Sequence, residues 1–211
     1  FLLASTGLLD GKKCSTHWNS ANEFRNMFPD VELVDGSIIT EEHGIYSSGG
    51  ANSYWNLLLY LVEKYTDRDT AIQAAKFFAV DIDRKSQSAF MMFQGQKDHE
   101  DAAIKKAQEF IEANYQDKIT VDQLAQMLAI GRRSFERRFK KATNNTVVGY
   151  MQRVKIEAAK RCFETSRKNI NEVMFDVGYT DTKAFRTVFK KITGLTPIEY
   201  RNKYNKQAMV A

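Results

Sequence analysis

From residue 99 onward, apolar positions recur almost wholly at helical spacing. Between Asp101 and Tyr115 they fall at 103, 104, 107, 110 and 111, one face of a helix. Thr120-Val121-Asp122-Gln123 predicts a helix start in which the Thr hydroxyl covers a free amide and Gln reaches back; Asn169-Ile170-Asn171-Glu172 repeats the signal. Val147 to Glu164, with Met151, Val154, Ala158, Ala159 and Cys162 apolar, predicts one long helix. No stretch from 99 to 205 alternates like a strand. The first 80 residues differ. Leu2 to Leu9 reads as the tail of a helix, Lys12 to Thr16 as a strand and Ala21 to Phe28 as a short helix stopped at Pro29. Val31 to Val34, Ser37 to Thr40 and Ile45 to Ser48 read as strands, and Asn52 to Tyr65 and Asp69 to Val80 as helices. The mixture predicts part of an α/β layer. Asp81 to Asp98 is polar and irregular, which predicts a connection between domains.

A repeat organises the helical part. Phe139-Lys140-Lys141, Thr143, Thr146 and Tyr150 return as Phe189-Lys190-Lys191, Thr193, Thr196 and Tyr200, every match offset by 50; Phe135 and Phe185 keep the offset. Gly131 and Gly178 differ by 47, which predicts three extra residues in the second turn if both glycines serve the same bend. Each copy thus reads as an amphipathic helix, a turn and a basic helix, the anatomy of a helix-turn-helix. Small Ala125 allows close crossing. The pairs Phe135/Phe139 and Phe185/Phe189, at i and i+4, face the core. The other faces carry Arg133, Arg137 and Arg138 in the first copy and Lys183, Arg186 and Thr187 in the second. Such a helix suits the major groove, where Arg bonds guanine and Thr touches a thymine methyl. Two such helices on successive turns of one DNA face would sit about 34 Å apart, and a closer pair would require bent DNA.

Charge sharpens this picture. Of 211 residues, 1–98 hold 9 Lys+Arg against 13 Asp+Glu, whereas 131–211 hold 19 against 7, a basic block that favours a polyanionic partner. A hydrophobic content of 43% with 27% charged residues excludes a mostly disordered chain. The longest strongly apolar run, Leu57 to Val62, is far below the roughly 20 residues of a membrane helix. Two cysteines, Cys14 and Cys162, make no disulfide framework and suit a reducing cytoplasm. The opening Phe1-Leu2-Leu3-Ala4 has no initiator Met and no signal-peptide pattern, so a fragment or processed product is expected.

Residues 104 to 204 resemble the AraC family of bacterial transcription regulators. The resemblance is carried by Leu124-Ala125 through Phe139-Lys140-Lys141, by Ile170 through Gly178-Tyr179, and by Phe185 through Lys191, Gly194, Thr196-Pro197 and Tyr200-Arg201. It implies that both recognition helices read one asymmetric site in double-stranded DNA. By position it assigns Arg133, Arg137, Lys183 and Thr187 to bases, and Arg132, Ser134, Arg138, Thr182 and Arg186 to bases or phosphates. Glu136 either accepts from cytosine or pairs with a nearby Arg. The first 80 residues resemble the second half of a PfpI-like domain, related to class I glutamine amidotransferases. That resemblance rests on Thr6-Gly7-Leu8-Leu9-Asp10-Gly11, Thr16-His17-Trp18 and Ser48-Gly49-Gly50-Ala51. By that pattern the nucleophile cysteine of the enzymes would fall upstream of Phe1.

The expected fold is therefore mainly α. Residues 1–90 form a partial α/β PfpI-like sensor or dimerisation domain, 91–100 a linker, and 101–211 an AraC-type tandem helix-turn-helix domain. A cytoplasmic, non-enzymatic DNA-binding regulator is expected, with no catalytic residue, metal or cofactor; a small-molecule effector of the N-terminal part and a homodimer remain open as partners. Cys14 and His17, three apart, would face opposite sides of a strand and form no nucleophile–base pair. Two rival readings stay open: an amidotransferase-like enzyme with an appended helical domain, and a binder of RNA or DNA without sequence preference.

Overall fold

A computed structural model describes residues 1–84 and 86–205. Lys85, within the polar stretch, and the last six residues of the expected 101–211 domain lie outside the described residues. The chain divides into two compact units, Phe1–Met91 and Met92–Ala211.

The N-terminal unit is built of short pieces. Strand β1 (Lys13–Cys14) pairs in parallel with β2 (Glu32–Leu33) across helix α1 (Ala21–Met27). Strands β3 (Ile39–Glu42) and β4 (Ile45–Ser48) form an antiparallel hairpin. Helices α2 (Tyr54–Tyr65) and α3 (Arg68–Phe78) follow, the second started by Asp67, whose carboxylate accepts from the Thr70 amide. Leu2 to Leu9 is no helix tail: only Ala4–Thr6 make a single 3₁₀ turn, closed by Gly7 at φ 76°. Ala4 and Leu9 serve instead as plugs in a small core with Cys14, Phe24 and Val31. Cys14 is buried, and burial pushes its thiol up. His17 caps the next turn, its Nδ1 accepting from the Asn19 amide.

Each end of the polar stretch after α3 is anchored in its own unit. The Gln87 side chain is buried and accepts from the Trp18 amide (3.1 Å). It also donates to the carbonyls of Thr16 (2.9 Å) and Ser37 (2.8 Å). At the other end, fully buried Gln108 donates to the carbonyl of Gln96 (2.7 Å) inside the C-terminal unit. The Gln87 and Gln108 side chains are thus buried with backbone groups as partners, which stabilises their burial.

The C-terminal unit is helical among the described residues: α4 (Ala102–Ala113), α5 (Val121–Met127), α6 (Arg132–Thr143), α7 (Val147–Thr165), α8 (Ile170–Asp176), α9 (Thr182–Thr193) and α10 (Pro197–Tyr204). It holds two cores. The first gathers Ile104, Ala107 and Ile111 of α4, Leu124 and Ala125 of α5, Phe135 and Phe139 of α6, and Tyr150 of α7. The second gathers Ile156, Ala159 and Phe163 of α7 with Val173, Met174, Phe185, Phe189 and Tyr200. Helix α7 therefore serves both cores, one at each end. No helix among the described residues is long and apolar enough to cross a membrane.

Candidate nucleic-acid interface

Each module begins with a capped helix. The Thr120 hydroxyl accepts from the Gln123 amide while the Gln123 side chain accepts from the Thr120 amide, and Asn169 with Glu172 repeats the exchange. These boxes cover amides that would otherwise lack partners at the start of α5 and α8.

The turns correct the alignment expected from the glycines. The Ala129 amide donates to Gln126 and the Ile130 amide to Ala125; the Gly178 amide donates to Phe175 and the Tyr179 amide to Met174. Donors and acceptors alike are 49 apart, so Gly178 corresponds to Ala129, not to Gly131. Both sit in the left-handed region, Ala129 at φ 51° and Gly178 at φ 74°. Gly131, at φ −61°, is the N-cap of α6 and corresponds to Asp181, the N-cap of α9. The second turn is thus longer by one residue, Thr180, rather than three.

The second helices, α6 and α9, are amphipathic in the same way. Phe135, Phe139, Phe185 and Phe189 have no exposed surface. Arg137 lies two residues from each phenylalanine of its pair, so at 3.6 residues per turn it points away from the core; Thr187 does the same in α9. One turn earlier Arg133 and Lys183 join them, and all four are exposed. Lys141 and Lys191, one turn later, complete each stripe and are exposed too. They are absent from the expected site, although their i+4 spacing from 137 and 187 was visible in the sequence. Arg186 is exposed, and Ser134 and Thr182 are half-buried.

Two of the expected arginines are engaged within the protein. Arg132 holds Asp122 of α5 at 2.9 Å and Glu136 at 3.6 Å. Glu136 accordingly pairs with an Arg, one of its two expected roles. Arg138 is clamped on Asp101: Nε donates at 2.9 Å and an Nη at 2.7 Å. The Arg138 bonds hold the Asp101 carboxyl below the usual carboxylate range, aided by the Ile104 amide that the same group caps. Arg133, Arg137, Lys183 and Arg186 make no ion pair among the described residues, which leaves their charge facing solvent. Each second helix thus presents unpaired cationic side chains of the sort that attract phosphate.

Residues 124–203 match the family described as "Helix-turn-helix domain". The chain is similar to the HTH-type transcriptional regulator ArgR of Pseudomonas aeruginosa, 24% identical over 201 residues, 95% of this chain and 61% of that protein. It is also similar to the HTH-type transcriptional regulator GbdR of the same species, 26% identical over 210 residues, 94% of this chain and 54% of that protein. The chain thus spans a little over half the length of the curated relatives it matches. A solved DNA-binding domain, that of AdpA with a target DNA, is 24% identical with a TM-score of 0.48, covering 52% of this chain and 98% of that one. The C-terminal unit is a DNA-binding domain of the helix-turn-helix class. The two curated relatives named above are HTH-type transcriptional regulators.

Proposed function

We propose that this chain belongs to a sequence-specific, double-stranded-DNA-binding transcription regulator that reads the major groove with α6 and α9. The observation that carries this reading is the duplicated stripe, Arg133-Arg137-Lys141 and Lys183-Thr187-Lys191, set opposite two buried phenylalanine pairs in a helix-turn-helix domain. Arg133, Arg137, Lys183 and Thr187 read base edges, where arginine and lysine suit guanine and threonine suits a thymine methyl. Lys141, Lys191, Arg186, Ser134 and Thr182 contact the backbone or neighbouring bases. Arg132 and Arg138 act first on the protein itself: their partners Asp122 and Asp101 hold α6 against α5 and α4.

In this reading residues 1–90 are part of a PfpI-like sensor or dimerisation domain acting in the cytoplasm, with a small-molecule effector and a second copy as its partners. The parallel β1–β2 pair joined through α1 supports an α/β layer. The similarity to ArgR and GbdR also runs through this unit, since it covers 95% and 94% of the chain. The burial of Cys14 and the capping role of His17 favour this over an enzyme that uses the pair.

The test is selection of bound duplexes from a random pool, followed by competition against random duplex at fixed salt. A shared sequence preferred by roughly 10³ or more is expected. Equal affinity for all duplexes, with only a steep salt dependence, would leave a binder without sequence preference.

A further inference from the structure

The two modules are joined twice. Helix α7 is one connection. The other is the segment after α4: Tyr115 packs on the second core although α4 belongs to the first. Next to it the turn of the second module touches the chain. A Cβ built on Gly178 would meet the carbonyl oxygen of Gln116 at 2.0 Å. Lys155, midway along α7, reaches into the same point. Its Nζ lies 3.4 Å from the carbonyl oxygens of both Asp117 and Gly178, and 5.7 Å from the centre of the Tyr179 ring. One ammonium thus ties the loop before the first helix-turn-helix to the turn inside the second. Burial lowers the Lys155 pKa, as expected for an ammonium held between protein surfaces.

This contact accounts for one of the turn positions at which the two copies differ. Ala129 and Gly178 occupy the same left-handed position, and Ala129 carries its methyl there in an exposed place. At 178 the carbonyl of Gln116 fills that space, so only glycine fits.

Resting on the DNA-binding reading above, we propose that Lys155, with the Gly178–Gln116 contact, is a positioning and specificity-determining strut that fixes the angle and spacing of α6 and α9 before DNA is met. A single helical connection can bend and twist, whereas two connections between the same bodies leave one arrangement. The partner this favours is DNA whose two half-sites have one allowed spacing, because deforming DNA to fit any other costs free energy.

The experiment uses the 211-residue chain and two readouts. The first needs no DNA: spin labels at Lys140→Cys and Lys190→Cys in a Cys162→Ser background report the distance between the second helices. A narrow distribution is expected in the parent, a broader one in Lys155→Met, and a narrow one again in Lys155→Arg. A parent distribution as broad as that of Lys155→Met overturns the strut. The second uses the duplexes recovered from the random pool, with one base pair inserted or removed between half-sites. The parent should lose about tenfold per step and Lys155→Met clearly less, with affinity for random duplex unchanged in both. Equal losses in both proteins also overturn it. A pool without any consensus defeats the regulator reading alone, since the label distances still decide the strut. If Lys155→Met fails to fold, Gly178→Ala, which pushes the turn off Gln116, is read in the same two ways.

Discussion

Replacing Phe139 by alanine should remove the centrepiece of the first module. The ring is fully buried. It meets Phe135 at 5.7 Å and Tyr150 at 5.3 Å between centroids, both tilted edge to face. The core it belongs to draws on separate helices: α4 through Ile104 and Ile111, α5 through Leu124, α7 through Tyr150. Those helices are tied elsewhere, α4 to α6 by the Asp101–Arg138 clamp and α5 to α6 by Asp122–Arg132. The walls therefore close only in part around the missing ring, and the residual cavity adds to the lost transfer free energy. Phe→Ala changes of this kind cost about 3–5 kcal/mol. A domain of this size is held by only about 5–15 kcal/mol in total. Urea unfolding followed by circular dichroism measures the loss, as a lower midpoint at an unchanged slope. Phe189→Ala should behave alike, since its ring meets Phe163, Phe185 and Tyr200 at 5.6, 5.7 and 5.5 Å. A loss below about 1 kcal/mol for Phe139→Ala, the range of a surface change, would mean that the pair is not the core of the module.

Three further outcomes are expected. Arg137→Ala and Lys183→Ala should each weaken the selected site by about 1–3 kcal/mol with less effect on random duplex, measured by competition binding; an equal loss on both would reassign them to phosphate. Asp101→Asn keeps the α4 cap but discharges the clamp on Arg138. The folded-state pKa of Asp101 lies below its unfolded value, so the stability it adds is complete above about pH 4 and is lost as pH falls through the folded value. Melting of parent and Asp101→Asn should therefore converge in acid, and a difference that stays constant down to pH 2 would assign it to something other than the carboxylate charge. Ala129→Gly should stabilise the first module slightly in thermal melts, since relief of about 1–2 kcal/mol of left-handed strain exceeds the roughly 0.4–1 kcal/mol of added chain entropy; a lower melting temperature would show that the exposed methyl makes a contact of value.

What could be read in advance follows the range of the interactions. The capping boxes at Thr120 and Asn169 span three residues, and the phenylalanine pairs span four, so helix starts and buried faces were written locally. The Arg132–Glu136 pair spans four residues and was open to reading, but the closer partner of Arg132, Asp122, and the partner of Arg138, Asp101, lie 10 and 37 residues away, and nothing in the spacing of charges marks them. The turn misled for a related reason. A glycine advertises conformational freedom, but Gly131 does not use it, while Ala129 takes the left-handed conformation because the crossing of α5 and α6 demands it. The first two strands were overestimated in length, since the two-residue β1 and β2 owe their existence to each other, 19 positions apart, whereas the hairpin strand Ile45–Ser48 was read in full.

The amino-acid order by itself determined the helices, their duplication, the basic stripes and the resemblance that names their class, because helix periodicity, capping and charge are properties of neighbours along the chain. Only the tertiary structure decided which arginines are spent inside the protein, that Gln87 and Gln96 lie buried, and that Lys155 and Gly178 join the two modules. Those contacts depend on how rigid helices cross, and a crossing is set by the shape of a whole core rather than by any short run of residues.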